Sequence, residues 1–146
     1  MINTTLTSAV FLGLVLFFTS CRTYYIPVDS FKQQFAGLDS SSMREVTTEG
    51  PMGHKVKYKT YPIDNIQAVD KNGNSVTIPN SPALEIRITD TSNKKTIFYF
   101  DLIRFDGQNI MGRQSRFMPS ISKTIPISSI RTIEVQNGRK KFSYVK

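Results

Sequence analysis

The residues able to perform acid–base, nucleophilic or metal chemistry are few and scattered. The chain has one histidine, His54, and one cysteine, Cys21. A serine triad needs its histidine beside a serine and an acid. The G-x-S-x-G turn that presents such a serine is absent from the sequence. His54 stands in GPMGHKV, a turn-to-strand boundary, where an exposed histidine is expected. A metal centre needs several His, Cys or carboxylate ligands at short spacing. The acids here are dispersed and no phosphate-cradling glycine loop occurs, so neither a metal nor a cofactor is expected. The remaining option is a carboxylate pair. Asp101 and Asp106 flank one strand and turn, and Asp64 and Asp70 bracket another segment. Such a pair can cleave glycosidic bonds when its members face each other at the right separation. With no Trp and six Tyr, any sugar stacking would fall to tyrosine.

Cys21 has a more specific setting. An exported protein with one cysteine forms no internal disulfide. Residues 1–20 contain no Lys, Arg, Asp or Glu, and Ala9–Phe18, AVFLGLVLFF, is an unbroken apolar run. A membrane-crossing helix needs about 20 apolar residues, and this shorter run fits an export signal. It ends in FFTSC: an apolar residue, two small residues, then the cysteine. In Phe18, Thr19, Ser20 and Cys21 the chain resembles bacterial lipoproteins, whose leader ends in such a lipobox. The resemblance implies that residues 1–20 are removed, that the Cys21 thiol carries diacylglycerol, and that the new amine is acylated. Each buried methylene contributes about 0.8 kcal/mol, so two or more acyl chains anchor stably. In that family an Asp after the cysteine retains some members at the inner membrane. Arg22 stands there instead, which implies the outer membrane. The lack of acids before Asp29 implies its periplasmic face.

The net charge is +8, and its distribution is uneven. After Met111, Arg113, Arg116, Lys123, Arg131, Arg139, Lys140, Lys141 and Lys146 face a single acid, Glu134. Before that segment, acids and bases nearly balance. Arg113, Arg116, Arg139, Lys140 and Lys141 are therefore candidate contacts for an anionic lipid, a glycan or an acidic envelope protein. GRQSRF and GRKKFSY interleave cations with aromatics, a composition that also suits single-stranded nucleic acid. Export argues against that partner. The plain reading of the same charges is a solvated face, with lysines protecting an edge strand.

The elements that must position these residues are mostly β. Residues 22–28, RTYYIPV, read as an extended tether. DSFKQQFAG follows as a short helix, with Ser30 and Gln33 at capping-box spacing, Phe31 and Phe35 on one face, and Gly37 as its stop. HKVKYKT and ALEIRIT alternate apolar and polar residues, the signature of half-buried strands. TIFYFDLIRF reads as a central strand. Asn72-Gly73 and Asn137-Gly138 predict two-residue hairpins. GPMG, DTSN and Asp106-Gly107 predict further turns. KTYPIDNIQAV (59–69) matches KTIPISSIRTI (123–133) in Lys, Thr, Pro and two Ile, each leading to an Asn-Gly. Two copies of one β unit would explain this. In each, the proline starts a helical turn. Val69 would then face Val76, Ile133 would face Phe142, and Glu134 would face Lys141.

The expected fold is mostly β: an antiparallel small barrel or sandwich with one short N-terminal helix. The expected division is a leader over 1–20, a lipidated tether over 21–28 and one β-rich domain over 29–146. SPALEIRITD, FYFD, SRFMPSISKTIPISSI and IEVQNGRKKFSYV resemble small Bacteroidota-type lipoproteins, a likeness that implies no activity. The leading functional expectation is a non-enzymatic interaction or assembly module. The alternatives are an envelope hydrolase using acids such as Asp101 and Asp106, and an inhibitor or immunity-type lipoprotein with a protruding loop near 112–122.

Overall fold

The computed structural model describes residues 22–146, so the leader, the lipobox and Cys21 lie outside the described residues. The described strands are β1 (Tyr24–Tyr25), β2 (Arg44–Glu49), β3 (Lys55–Thr60), β4 (Asn65–Val69), β5 (Ser75–Pro79), β6 (Leu84–Asp90) and β7 (Lys95–Tyr99). They continue as β8 (Arg104–Phe105), β9 (Asn109–Arg113), β10 (Ser122–Pro126), β11 (Ile130–Asn137) and β12 (Ser143–Tyr144). One helix, α1 (Val28–Phe35), follows β1. A six-stranded sheet has the order β5-β4-β1-β11-β6-β7, and two three-stranded sheets have the orders β10-β9-β8 and β12-β2-β3. All pairings are antiparallel. Among the described residues no sheet closes on itself. The fold is mostly β and sandwich-like, as the alternation predicts, and not a barrel.

Period-two alternation sorts the faces. In β3, Tyr58 and Thr60 are buried, Val56 is half-buried, and Lys55, Lys57 and Lys59 are exposed. In β6, Leu84, Ile86 and Ile88 point into the core. The main core joins the inner face of the large sheet to α1 and to Ile103, Ile110 and Ile125 of the β8–β10 region. A smaller core, Tyr58, Tyr99 and Leu102 with Val46, Val56, Phe142 and Tyr144, lies under the β12-β2-β3 sheet.

The helix docks as its Phe spacing predicts. Phe31 and Phe35 are buried, with ring centroids 4.5 Å apart. The capping box does not form: Pro27 is the N-cap, and Gln34 rather than Gln33 reaches Ser30 Oγ, at 3.2 Å. Gln34 also exchanges hydrogen bonds with the Gln67 main chain at 2.9 and 2.8 Å, tying α1 to β4. A capping box does form one turn later, where Asp39 and Ser42 cap a short 3₁₀ helix.

The expected tether is largely part of the domain. Tyr24 and Tyr25 form β1 in the middle of the large sheet, opposite Val135 and Glu134 of β11, with Tyr25 also opposite Val69 of β4. Ile26 is 2% exposed and its N–H donates to Ile133 O at 2.9 Å. Aromatic and β-branched residues favour a pleated, half-buried surface, and TYYI supplies that here.

The apolar TIFYFDLIRF run is not one central strand. It forms the edge strand β7, a 3₁₀ turn at Phe100–Leu102, and then β8 in another sheet. It is apolar because it feeds both cores, Phe98, Phe100 and Ile103 the larger and Tyr99 and Leu102 the smaller.

The two matching segments occupy matching places. β3 leads into β4 and β10 into β11, each time from a small sheet into the large one, and β4 and β11 flank β1. Ile66 and Ile130 are both buried. A bulge between Ile130 and Thr132 then shifts the phase, so Ile133 is inward where its counterpart Val69 is only half-buried. Pro126 caps a 3₁₀ turn, Ile127–Ser129, whereas the residues after Pro62 form no helical turn.

Both expected hairpin registers differ. The loop after Val69 runs from Asp70 to Asn74, so Val69 faces Ser75 and Ala68 faces Val76. After β11 there is no hairpin: Ile133 pairs with Ile88 and Glu134 with Arg87, while the chain crosses over to pair Ser143 and Tyr144 with β2. Gly138 serves close approach rather than a positive φ. A Cβ there would lie 2.6 Å from Glu85 Cδ, and the left-handed residue is Arg139, at φ 54°.

Candidate functional site

The five basic candidates separate into three settings. Arg113 ends β9 and is half-buried. Arg139, Lys140 and Lys141 are exposed in the segment before Phe142. Arg116 is not a surface contact: it is 2% exposed. Its guanidinium meets Asp101 in a fork, Nη2 to Oδ1 at 2.7 Å and Nη1 to Oδ2 at 3.2 Å. Nη1 also donates to Tyr58 Oη at 2.8 Å, and Nη2 donates to the Pro82 carbonyl. The cation lies over Tyr99, Phe142 and Tyr58, at 4.3, 5.1 and 5.4 Å from the ring centroids. A buried charge persists only when paired and hydrogen-bonded, and this cluster supplies both.

Asp101 is the hub. It accepts from Arg116, from the Tyr58 hydroxyl, and from Tyr144 Oη at 3.1 Å. Tyr58 gives its one proton to Asp101, so Thr48 Oγ1, at 2.7 Å, must donate to Tyr58. Burial, and then the charge of Asp101, push the Tyr58 phenol up to about 12. The same two causes raise Tyr144. Burial opposes the charge of Arg116, but its bonds to Asp101 outweigh that and raise its pKa.

This buried arginine sets the polarity of the loop that carries it. Residues 114–121 close the β9–β10 hairpin, with Gln114 N–H donating to Ile121 O at 2.9 Å. Ser115 Oγ accepts from the N–H groups of Phe117 and Met118. With Arg116 turned inward, Phe117 and Met118 turn outward, 57% and 55% exposed. The loop is inside-out: its cation is buried and its large apolar side chains meet solvent.

The β2–β3 hairpin tip stands beside it and carries Met52, 83% exposed. Gly50, Pro51, Met52, His54, Phe117 and Phe142 line an apolar hollow of about 400 Å³. The Phe142 ring, 6.2 Å from Phe117 and 6.1 Å from Tyr99, links this surface to the small core. Arg139, Lys140 and Lys141 immediately precede Phe142 in the chain. Lys140 Nζ is held at 2.8 Å from Glu85 and 2.9 Å from Tyr99 Oη. Burial opposes its charge, but these two bonds raise its pKa. Arg139 and Lys141 make no ion pair among the described residues.

The acids have structural employment. Asp106 Oδ1 accepts from the N–H groups of Gln108 and Asn109, at 2.8 and 2.6 Å, and these bonds hold its carboxyl below the usual range. Asp39, Asp70 and Asp90 also cap turns and are lowered, Asp39 and Asp90 chiefly by the hydroxyls of Ser41 and Ser92 and then by main-chain N–H groups, Asp70 chiefly by the Asn74 N–H. Asp64 pairs with Arg44 on the surface. A larger hollow, about 620 Å³, lies between the end of α1 and the β8–β9 turn, bordered by Asp39, Asp106 and Arg104. Both carboxylates on it are tied to their own turns, and Asp101 does not open onto it. Asp101 and Asp106 thus do not converge. His54 is exposed, at the edge of the apolar hollow. Among the described residues no group of three or more His, Cys, Asp or Glu is placed to hold a metal ion.

The Asp101–Arg116 pair was the element sequence reasoning missed. The signal was an acid inside the apolar run FYFDLI, which demands a buried cationic partner. Compared with protein families, curated proteins and solved structures, the chain matches none.

Proposed function

We propose that the protein is a lipid-anchored lipoprotein of the cell envelope whose β domain is a non-enzymatic interaction module. The anchor is lipid on Cys21, and the location is the periplasmic face of the outer membrane. The interaction face combines Met52, Phe117 and Phe142 with Arg139, Lys140 and Lys141. The observation that carries this reading is the inside-out loop. Burying Arg116 while exposing Phe117 and Met118 is unfavourable for an isolated domain, and becomes useful when something covers the apolar side chains. The turn-bound carboxylates favour it over hydrolysis.

Two experiments test it. Cys21→Ser should abolish lipid modification and release the protein from the membrane fraction after a salt wash. Unchanged processing and retention would remove the anchor. Phe117→Ser combined with Arg139→Glu and Lys141→Glu should eliminate the crosslinks, to lipid or to protein, that this face of the wild-type domain forms in intact envelopes. An unaltered crosslink pattern would remove the interaction face.

The exposed tip at Phe117 and Met118 also suits an inhibitor-type lipoprotein that inserts a loop into an enzyme cleft. Its signature is a partner enzyme that regains activity when Phe117 is replaced by Ser.

A further inference from the structure

We infer that the apolar and basic face seats on the anionic surface of the bilayer, as a second, peripheral contact beside the lipid anchor. The inference rests on the anchored-lipoprotein reading and names the partner of that face.

The first support is the shortness of the connection. Cys21 directly precedes Arg22, and Tyr24 already pairs with Val135 inside the large sheet. Only Arg22 and Thr23 intervene. Extended chain spans at most about 3.6 Å per residue, so an anchor at Cys21 leaves the domain nowhere to go but against the lipid headgroups. The end of the sheet where β1 begins must face the membrane.

The second support is what lies at that end. Register places Tyr24 opposite Val135, Asn137 opposite Leu84, and Glu85 opposite Tyr99. The start of β1, the end of β11, the start of β6 and the end of β7 therefore share one edge of the domain. Arg139 follows directly from that edge. Lys140 bonds Glu85 and Tyr99 on it. Phe142 packs on Tyr99, and Phe117 on Phe142. The face with exposed apolar side chains and unpaired cations thus adjoins the end that a two-residue connection holds at the bilayer. The Asp90–Lys94 turn, at the opposite end, exposes no large apolar side chain.

The third support is chemical complementarity. Basic residues are attracted to anionic headgroups, and the apolar side chains of a surface-lying element enter the boundary between headgroups and acyl chains. Met52, Phe117 and Met118 are 83, 57 and 55% exposed, and Arg139 and Lys141 are exposed in the segment that leads into Phe142, whose ring packs on Phe117.

The chain contains no Trp, so single-tryptophan variants report one position each. Full-length lipidated protein carrying Phe117→Trp, Met52→Trp or Lys94→Trp would be reconstituted into phosphatidylcholine vesicles with or without phosphatidylglycerol. Brominated acyl chains serve as the quencher. F117W and M52W should shift to the blue and be quenched in the anionic vesicles, while K94W at the far turn stays unquenched. Adding Arg139→Glu and Lys141→Glu, or raising salt, should shift the docked population by about tenfold. If the protein floats with the vesicles and neither F117W nor M52W is quenched, docking is overturned while the anchor stands. If the wild type fails to float after a salt wash, the anchor fails, and the seating beside it fails too. Equal quenching in neutral vesicles overturns the choice of anionic lipid. No quenching of F117W in anionic vesicles, together with a crosslink from position 117 to an envelope protein, overturns the lipid in favour of a protein contact.

Discussion

Arg116 shows how one side chain organises both the interior and the surface. Its charge is matched inside the domain, so removing either partner strands the other. Asp101→Ala or Arg116→Ala should each cost about 3–5 kcal/mol in denaturant-induced unfolding, while Asp101→Leu with Arg116→Met should cost far less than the two single changes combined. The tyrosine above the pair gives a pH signature. The Tyr58 phenol is raised from 10.0 to about 12, so the folded state favours its protonated form. That stability is fully present below pH 10 and is lost as pH rises through about 12. Unfolding midpoints followed across this window should fall, and Tyr58→Phe should flatten the slope. Arg116 was misread from sequence for a physical reason: exposed arginine is the norm, and only a partner distant in the chain reverses it. Asp101, an acid amid apolar neighbours, carried half of the clue. Arg139, Lys140 and Lys141 lie on the surface, as their composition implies.

At the scale of elements, turns and close approaches decide the registers. Asp70, Asp90 and Asp106 each accept hydrogen bonds from the turn just after them, from the Ser92 hydroxyl first at Asp90 and from main-chain N–H groups at all three, which holds their carboxyls below the usual 3.8. A depressed folded value means stability that is present above pH 3.8 and lost as pH falls through the lowered values. Thermal melts in acid should show that loss, and replacing all three with Asn, which keeps a neutral acceptor, should blunt it. Gly112 tests packing. A Cβ there would lie 2.4 Å from Phe98 Cγ, a buried ring in the neighbouring sheet. Gly112→Ala should therefore destabilise the domain by about 1–3 kcal/mol in equilibrium unfolding. Strand faces such as KVKYKT were readable because alternation is local. The Asn137-Gly138 hairpin was misread because the pair's turn preference is local too, whereas the chain there obeys a distant constraint, the contact of Gly138 with Glu85.

For the molecule as a whole, composition and alternation identified a mostly β domain, and the matching segments pointed to β4 and β11 as counterparts. The strand that joins them was not legible, because two tyrosines pair only with strands that lie far along the chain. Ile26→Ala should cost about 2–5 kcal/mol by thermal or chemical unfolding, since Ile26 is 2% exposed just beyond that junction. A negligible change would mean that β1 is ornamental to the sheet. The position of β1 also imposes an order on assembly. A chain that emerges from a ribosome or a translocation pore delivers Tyr24 and Tyr25 early, yet β11, which completes their pairing, is the last strand of that sheet to appear. Until it arrives, the sheet has a gap at its middle and two unsatisfied edges, which are slow to close and prone to mispairing. Vectorial delivery therefore keeps this sheet open until β11 is out, and a chain cut short before Ile130 would be left with no partner to seal that seam.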